Sequence, residues 1–262
     1  MIQFNLNRFG KLARWSLTND KKYHVKTFFQ TLVIMTLLFL FLTSITITYG
    51  KDNANYHACA IGTVILFVST FVLGSSFMFY SMDGKHDMQA LLMLPASNFE
   101  KYLMRYASWI LLIPLYIVAT VAADLMQYVF GLVVGHEEVR FVAPATMELL
   151  DNAWAKVPAE KHHIFVIGMV LLFFWLQSVY ALGATFFRSK KYNWIPTTAV
   201  VIVLFLLLVW LSQDGEGIDL VKDDSALDMV VNMAYVAWVA LNFWLSYRLF
   251  CRQQVIGKYV NV

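Results

Sequence analysis

An all-α integral membrane protein with six transmembrane helices is the fold class that this sequence predicts, and three observations carry the prediction. Hydrophobic residues make up 60% of the 262 positions and charged ones only 14%, a balance too apolar for a soluble domain of this length. The charges are also segregated, leaving charge-free runs at 27–50, 53–82, 106–123, 162–187, 192–213 and 229–247. Each supplies roughly the 20 helical residues that a hydrocarbon core of about 30 Å requires. Backbone groups in lipid must be satisfied within their own segment, so these runs are expected to be helices. Third, the cations are uneven. With both termini inside, fifteen Lys and Arg lie on the cytoplasmic side and five outside (Lys51, Arg140, Lys156, Lys161 and Lys222). Cytoplasmic loops carry the excess of Lys and Arg, so this count sets the orientation. The overall basicity is a topology signal and gives no reason to expect nucleic-acid binding.

The chain reads as a single transmembrane domain over 1–262, and its elements follow in order. Residues 1–26 are too long and too polar for the leading region of a cleaved signal peptide, and no small-residue cleavage site follows the first run. Read as a helix, they place Leu6, Phe9, Ala13 and Leu17 on one face, with Leu12 beside them and Arg8, Lys11 and Arg14 opposite. That pattern predicts an amphipathic helix in the cytoplasmic headgroup layer. Spans one and two are expected at 28–48 and 58–80. Span two carries Gly62, Gly74, Ser75 and Ser76, small residues that permit close helix approach in lipid.

The polar stretch 81–105 joins spans two and three and has its own helix grammar. Asp83-Gly84 is a turn signal. His86 to Met93 forms about two helical turns, which Leu94-Pro95 stops, because a residue before proline is pushed out of the α region. Ser97-Asn98-Phe99-Glu100 has the spacing of a capping box, so a new helix starts at Asn98. The predicted product is a short helix across the membrane face and a sharp re-entry, placed to receive a push from a soluble partner.

Span three, at 106–134, contains Pro114 and Asp124, and the latter is the one carboxylate within an apolar run. Counted at about 1.5 Å per residue from Arg105, Asp124 stands roughly 28 Å up, near the outer headgroups. An acid there is a functional candidate, or a partly hydrated aspartate bonded to Gln127 or Tyr128. The largest external loop is 136–161, in which Pro144 and Pro158 bracket a candidate helix with Met147, Leu150, Trp154 and Val157 on one face. His136, Glu137, Glu138, His162 and His163 lack the ligand spacing of a recognised metal site. Spans four to six are expected at 164–187, 193–212 and 229–249, with Pro196 early in span five, where a missing amide costs least. Asp214 to Asp228 forms an acidic external loop. Cys59 falls at the outer end of span two and Cys251 inside, which excludes a disulfide between them.

Chemistry-bearing motifs are missing. The Gly-Lys pairs at 10–11, 84–85 and 257–258 lack the rest of a phosphate loop, and there is no HExxH, CxxC or GxSxG. The chain is therefore expected to be no enzyme, with no catalytic, cofactor-binding or metal site.

Six runs, a basic amphipathic N-terminal helix and LMLPASNFEKYLMRYAS after the second run resemble the permease subunits of ABC-2 type (type V) exporters. In that family the second-to-third loop often reads leucine, proline, small residue, serine, two variable residues, glutamate. Leu94, Pro95, Ala96, Ser97 and Glu100 match it here, and the ending YRLFCRQQVIGK is similar to small permeases of this class. The resemblance implies a half-transporter. Two permease copies, identical or different, would line a pathway for export of a hydrophobic or amphipathic substrate. ATP and Mg would be held by a separate ATP-binding cassette subunit. Within the coupling segment 83–100, Lys85, His86, Asp87, Gln89 and Leu91 would form a coupling helix seated in that subunit. Leu94, Pro95, Ser97 and Glu100 would shape its exit. The N-terminal helix, with Arg8, Phe9, Lys11 and Arg14, would be the elbow that leans on the ATPase. Gly74, Ser75, Asp124 and Gln127 are candidate pathway residues. The implied location is the cell inner (plasma) membrane, multi-pass, with both termini cytoplasmic. A self-contained channel or ion-coupled secondary transporter, with Asp124 carrying a cation, and a non-transporting membrane scaffold are the alternatives.

Overall fold

The computed structural model describes residues 4–49, 54–80, 85–134, 139–159, 162–187, 192–214 and 225–252. Among them the regular structure is helical. The α-helices are α1 (Leu6–Asn19), α2 (Lys21–Tyr49), α3 (Ala54–Gly74), α4 (Lys85–Met93) and α5 (Asn98–Ala107). They continue with α6 (Leu112–Val134), α7 (Val142–Ala155), α8 (His162–Phe186), α9 (Trp194–Asp214) and α10 (Ser225–Cys251). Four helical stretches among the described residues are long and apolar enough to cross a membrane: Lys21–Ile45, Tyr56–Phe77, Asn98–Val134 and Phe165–Phe186. The third has 37 residues, well beyond the length a bilayer requires. Its Glu100, Lys101 and Arg105 all fall within the polar first two turns. Expected spans five and six fall in α9 and α10, where the apolar helix among the described residues is the shorter Trp194–Leu207.

Local sequence explains one of the two 3-10 segments among the described residues. Pro114 lacks an amide and its ring crowds the carbonyl four residues back, at Ile110. The ladder accordingly tightens to 3-10 geometry at Ser108–Leu111 before α6 begins. The second, Ser75–Phe77, ends α3 at a small-residue site where both serines are buried.

Backbone contacts group the chain into two compact units. The first draws on 1–13, 72–108 and 166–262, and it is held by buried polar contacts. Ser76 and Asn193 exchange hydrogen bonds, Ser76 Oγ donating to Asn193 Oδ1 at 3.0 Å and Asn193 Nδ2 to the Ser76 carbonyl at 2.8 Å. Ser75 Oγ donates to the Gln177 carbonyl, Asn242 Nδ2 to Ser178 Oγ, and Ser246 Oγ to the Ala181 carbonyl, each at 3.0 Å. At Gly183 the side chain of Thr197 occupies the space a Cβ would need, so α8 and α9 touch backbone to side chain. Such contacts hold helices together where apolar surface gives no net drive for association.

The second unit draws on 14–71 and 109–165 and is packed chiefly by α2 against α6. Met35 and Phe39 of α2 are wholly buried. Gly62 of α3 meets Leu38, whose Cδ2 would lie 2.8 Å from an added Cβ. Tyr116 Oη donates to the Thr63 carbonyl at 2.8 Å, within an aromatic cluster of Phe67, Phe71 and Trp109. The candidate helix of the 136–161 loop starts at Val142, two residues ahead of the bracketing Pro144, which sits in the first turn where its missing amide is harmless. The Asp83-Gly84 turn, the cations Arg188, Lys190 and Lys191, the middle of the acidic loop, His136, Glu137 and Glu138, and the end of the chain lie outside the described residues, as does the His163 side chain.

Candidate functional site

In the first unit the expected break between two helices is present. Proline at position 95 forbids continuation of α4, and Ala96 closes a tight turn by donating to the Leu94 carbonyl at 2.7 Å. Ser97 then adopts an extended backbone and caps α5. Its hydroxyl accepts from the Glu100 amide at 3.2 Å, and Glu100 Oε2 accepts from the Ser97 amide at 2.8 Å, which completes the capping box. Lys101 Nζ reaches back to the Leu92 carbonyl at 2.7 Å, so one side chain of α5 also satisfies an orphan carbonyl at the end of α4.

Glu100 does more than cap. Its Oε1 also accepts from the Asn5 amide at 2.8 Å and from Arg8 Nη2 at 2.7 Å, while Oε2 accepts from Arg8 Nε at 2.9 Å. Four N–H groups thus converge on one carboxylate, which is wholly buried, whereas Arg8 keeps 30% of its side chain exposed. The forked guanidinium matches both oxygens at once, which is the strong geometry for such a pair. Those donors, led by Arg8, hold the Glu100 carboxyl well below the usual range, at about 2. α1 is therefore clasped to the α4–α5 corner. Phe4 reinforces it, with its ring edge-on to Phe99 at 6.3 Å and beside Phe9 at 5.7 Å.

The same corner is anchored on α10. Tyr102 Oη donates to Ser246 Oγ at 2.9 Å, its ring lies 5.7 Å from both Tyr247 and Phe250, and Phe250 stacks on Phe79 at 5.9 Å. Leu91 of α4 is wholly buried in the chain's own core, whereas Gln89 is exposed and Met93 is 84% exposed. Two expectations change here. Leu91 was expected on a face that docks in a partner, but it is spent on internal packing, and Met93 is the outward apolar residue. On α1, Phe9 and Ala13 are partly covered and Leu12 is buried, yet Leu6 and Leu17 are exposed. The expected apolar face is thus split between an inward stripe and an outward one. Lys11 and Arg14 are exposed. Lys85, His86 and Asp87 are in α4, and their side chains lie outside the described residues.

Family models, curated proteins and solved structures give no match to this chain.

The remaining candidates divide between the units. Gly74 and Ser75 are buried in the first, where Ser75 serves the hydrogen bond to Gln177. In the second, Asp124 is buried and does not bond Gln127 or Tyr128 as expected. Its Oδ1 accepts from the Val142 amide at 2.8 Å and its Oδ2 from the Ala143 amide at 3.1 Å, so it caps the N-terminus of α7. Phe141 at the N-cap position has no side-chain oxygen, and Asp124 supplies the missing acceptor from another helix. Tyr128 stacks on Phe141 with centroids 4.3 Å apart, and the buried Gln127 amide has no hydrogen-bond partner among the described residues. Cys59 is buried and Cys251 exposed, both as free thiols. Among the described residues no group of His, Cys, Asp and Glu is arranged to hold a metal ion.

Proposed function

We propose that the chain is a six-span permease subunit of an ABC-2 type exporter, with both termini cytoplasmic, α1 as its elbow and α4 as its coupling helix. A separate ATP-binding cassette subunit would hold ATP and Mg, and a second permease copy would complete the pathway for a hydrophobic or amphipathic substrate. One observation carries the reading: the Glu100 clasp, which joins a basic amphipathic N-terminal helix to the start of span three beside an outward-facing Met93. A push received on α4 is transmitted only if the helix is rigidly joined to the element that enters the membrane. The capping box and the Lys101 bond make that joint, and Arg8 extends it to the elbow. The fifteen-to-five cation split supports the orientation. Asp124 is a poor cation carrier, because both oxygens already accept from α7 amides.

The test is co-purification with an ATPase encoded alongside the chain. Met93→Asp puts a charge on a residue that is 84% exposed, so it leaves the fold intact. A charge left unpaired in a desolvated contact costs several kcal/mol, about 2–5, and the ATPase should be lost from the complex. A Met93→Asp chain that keeps its ATPase and its export activity refutes the docking role of α4.

A further inference from the structure

We propose that the second unit carries a binding site for one anionic glycerophospholipid of the cytoplasmic leaflet, in the crevice between α2 and the start of α6. This rests on the reading that the lysine-rich end of α2 meets a membrane surface.

The crevice has a volume of about 520 Å³. One wall is a single helical stripe, Lys21, Val25, Phe28 and Phe29, spaced so that the residues stand one above the other. The facing wall is Leu111, the last residue of the 3-10 segment, with Pro114 and Leu115 of α6, again at helical spacing. From Lys21 to Phe29 the stripe is about 12 Å long at 1.5 Å per residue. Its polarity changes along that length. Lys21 and His24 stand toward one end, beside the apolar Leu17, and the rest is hydrocarbon and aromatic, so a phosphate at the lysine and an acyl chain along the apolar wall match it. Three lysines here outnumber the one adjoining acid. Asp20 is buried and accepts from Ser16 Oγ at 2.9 Å, while Lys21 and the neighbouring Lys22 and Lys26 are exposed. Val25 and Phe29 are themselves about half exposed, so the crevice opens to the surroundings, and a chain enters sideways without disturbing the fold. Lysines near an anionic surface each contribute attraction of about 1 kcal/mol, and the apolar wall adds the burial of methylene groups.

Native mass spectrometry of the full chain in detergent, titrated with palmitoyl-oleoyl phosphatidylglycerol or phosphatidylcholine, reads the site directly. One phosphatidylglycerol per chain should be retained in preference to phosphatidylcholine. Lys21→Gln should weaken that lipid about five-fold, the factor that one lysine's attraction corresponds to, and leave phosphatidylcholine unchanged. Val25→Trp fills the crevice from an exposed position and should abolish retention of both, with the melting temperature unmoved. Equal retention of the two lipids, or unchanged retention in Val25→Trp, overturns the proposal. Displacement by water-soluble glycerophosphoglycerol at the lipid's own concentration also overturns it, since that would mark a site for a free anion. The readout involves neither an ATPase nor transport, so its failure and the failure of the permease reading are separable.

Discussion

Glu100→Gln isolates the clasp, because it keeps the size of the side chain and removes the charge. In the native corner two oxygens receive four N–H groups from Asn5, Arg8 and Ser97. Glutamine offers one oxygen and turns an NH2 group toward donors that need an acceptor, so about half of the bonds are lost. Hydrogen bonds to an ionised group contribute about 1.5–3 kcal/mol each, and breaking a buried ion pair costs about 3–5 kcal/mol. Arg8 keeps access to water, which eases its loss. Destabilisation of the α1 junction is therefore about 2–3 kcal/mol, or a local opening some 30- to 150-fold more frequent. Hydrogen exchange at the amides of Phe9 to Leu12 measures it, with the amides of Ala119 to Ala123 as an internal reference. Exchange accelerated less than about three-fold, a change of under 1 kcal/mol, would show that the four bonds contribute little. The acid limb has a fixed sign. A carboxyl lowered to about 2 in the fold gives its stabilisation in full above the ordinary value of about 4.3. That stabilisation is lost as pH falls from there through 2, so α1 should stay docked at pH 6 and loosen progressively below pH 4.5.

Three further outcomes are expected. Asp124→Asn keeps an acceptor at the α7 N-terminus but loses the charge that favours it, a cost of about 1 kcal/mol; amides at the start of α7 should exchange faster while transport continues, and loss of transport at unchanged protein level would give this acid a second role. Gly183→Ala drives a methyl into the Thr197 side chain, and overpacking of this kind costs about 1–3 kcal/mol; the melting temperature should fall and recover with Thr197→Ala, and an unchanged single variant would mean that α8 and α9 separate freely. Leu91→Asp places a charge in the core, where burial without a partner costs several kcal/mol, on the order of 3–5; folded yield should drop even without any partner, whereas folded, monodisperse protein would contradict the inward position of Leu91.

What was legible in the sequence was local. The capping box is readable because Ser97 and Glu100 are three residues apart on one helix end, and the Leu94-Pro95 break because a ring and a missing amide act on neighbours. The second use of Glu100 was not legible, since its donors lie 92 and 95 residues away and nothing local marks Arg8 from the other cations of α1. Periodicity grouped Leu6, Phe9 and Leu17 on one face, but it cannot divide an apolar face between protein and lipid, because both solvents accept the same residues. Leu91 fails on a related ground, because an apolar residue suits the chain's own core and a partner's cleft alike. Asp124 is different, since its partner had left a sign. Phe141 and Val142 open a helix with no oxygen at the N-cap, and Pro144 in the first turn announces that a helix begins there. A buried helix start that cannot cap itself must find an acceptor elsewhere, because buried amides without one are costly. The single carboxylate of the preceding apolar run, at roughly the same height, was the acceptor within reach. Reading each helix end for what it lacks narrows the acceptor for the α7 amides to the few acids nearby, Asp124, Glu137 and Glu138, and the fold selects Asp124.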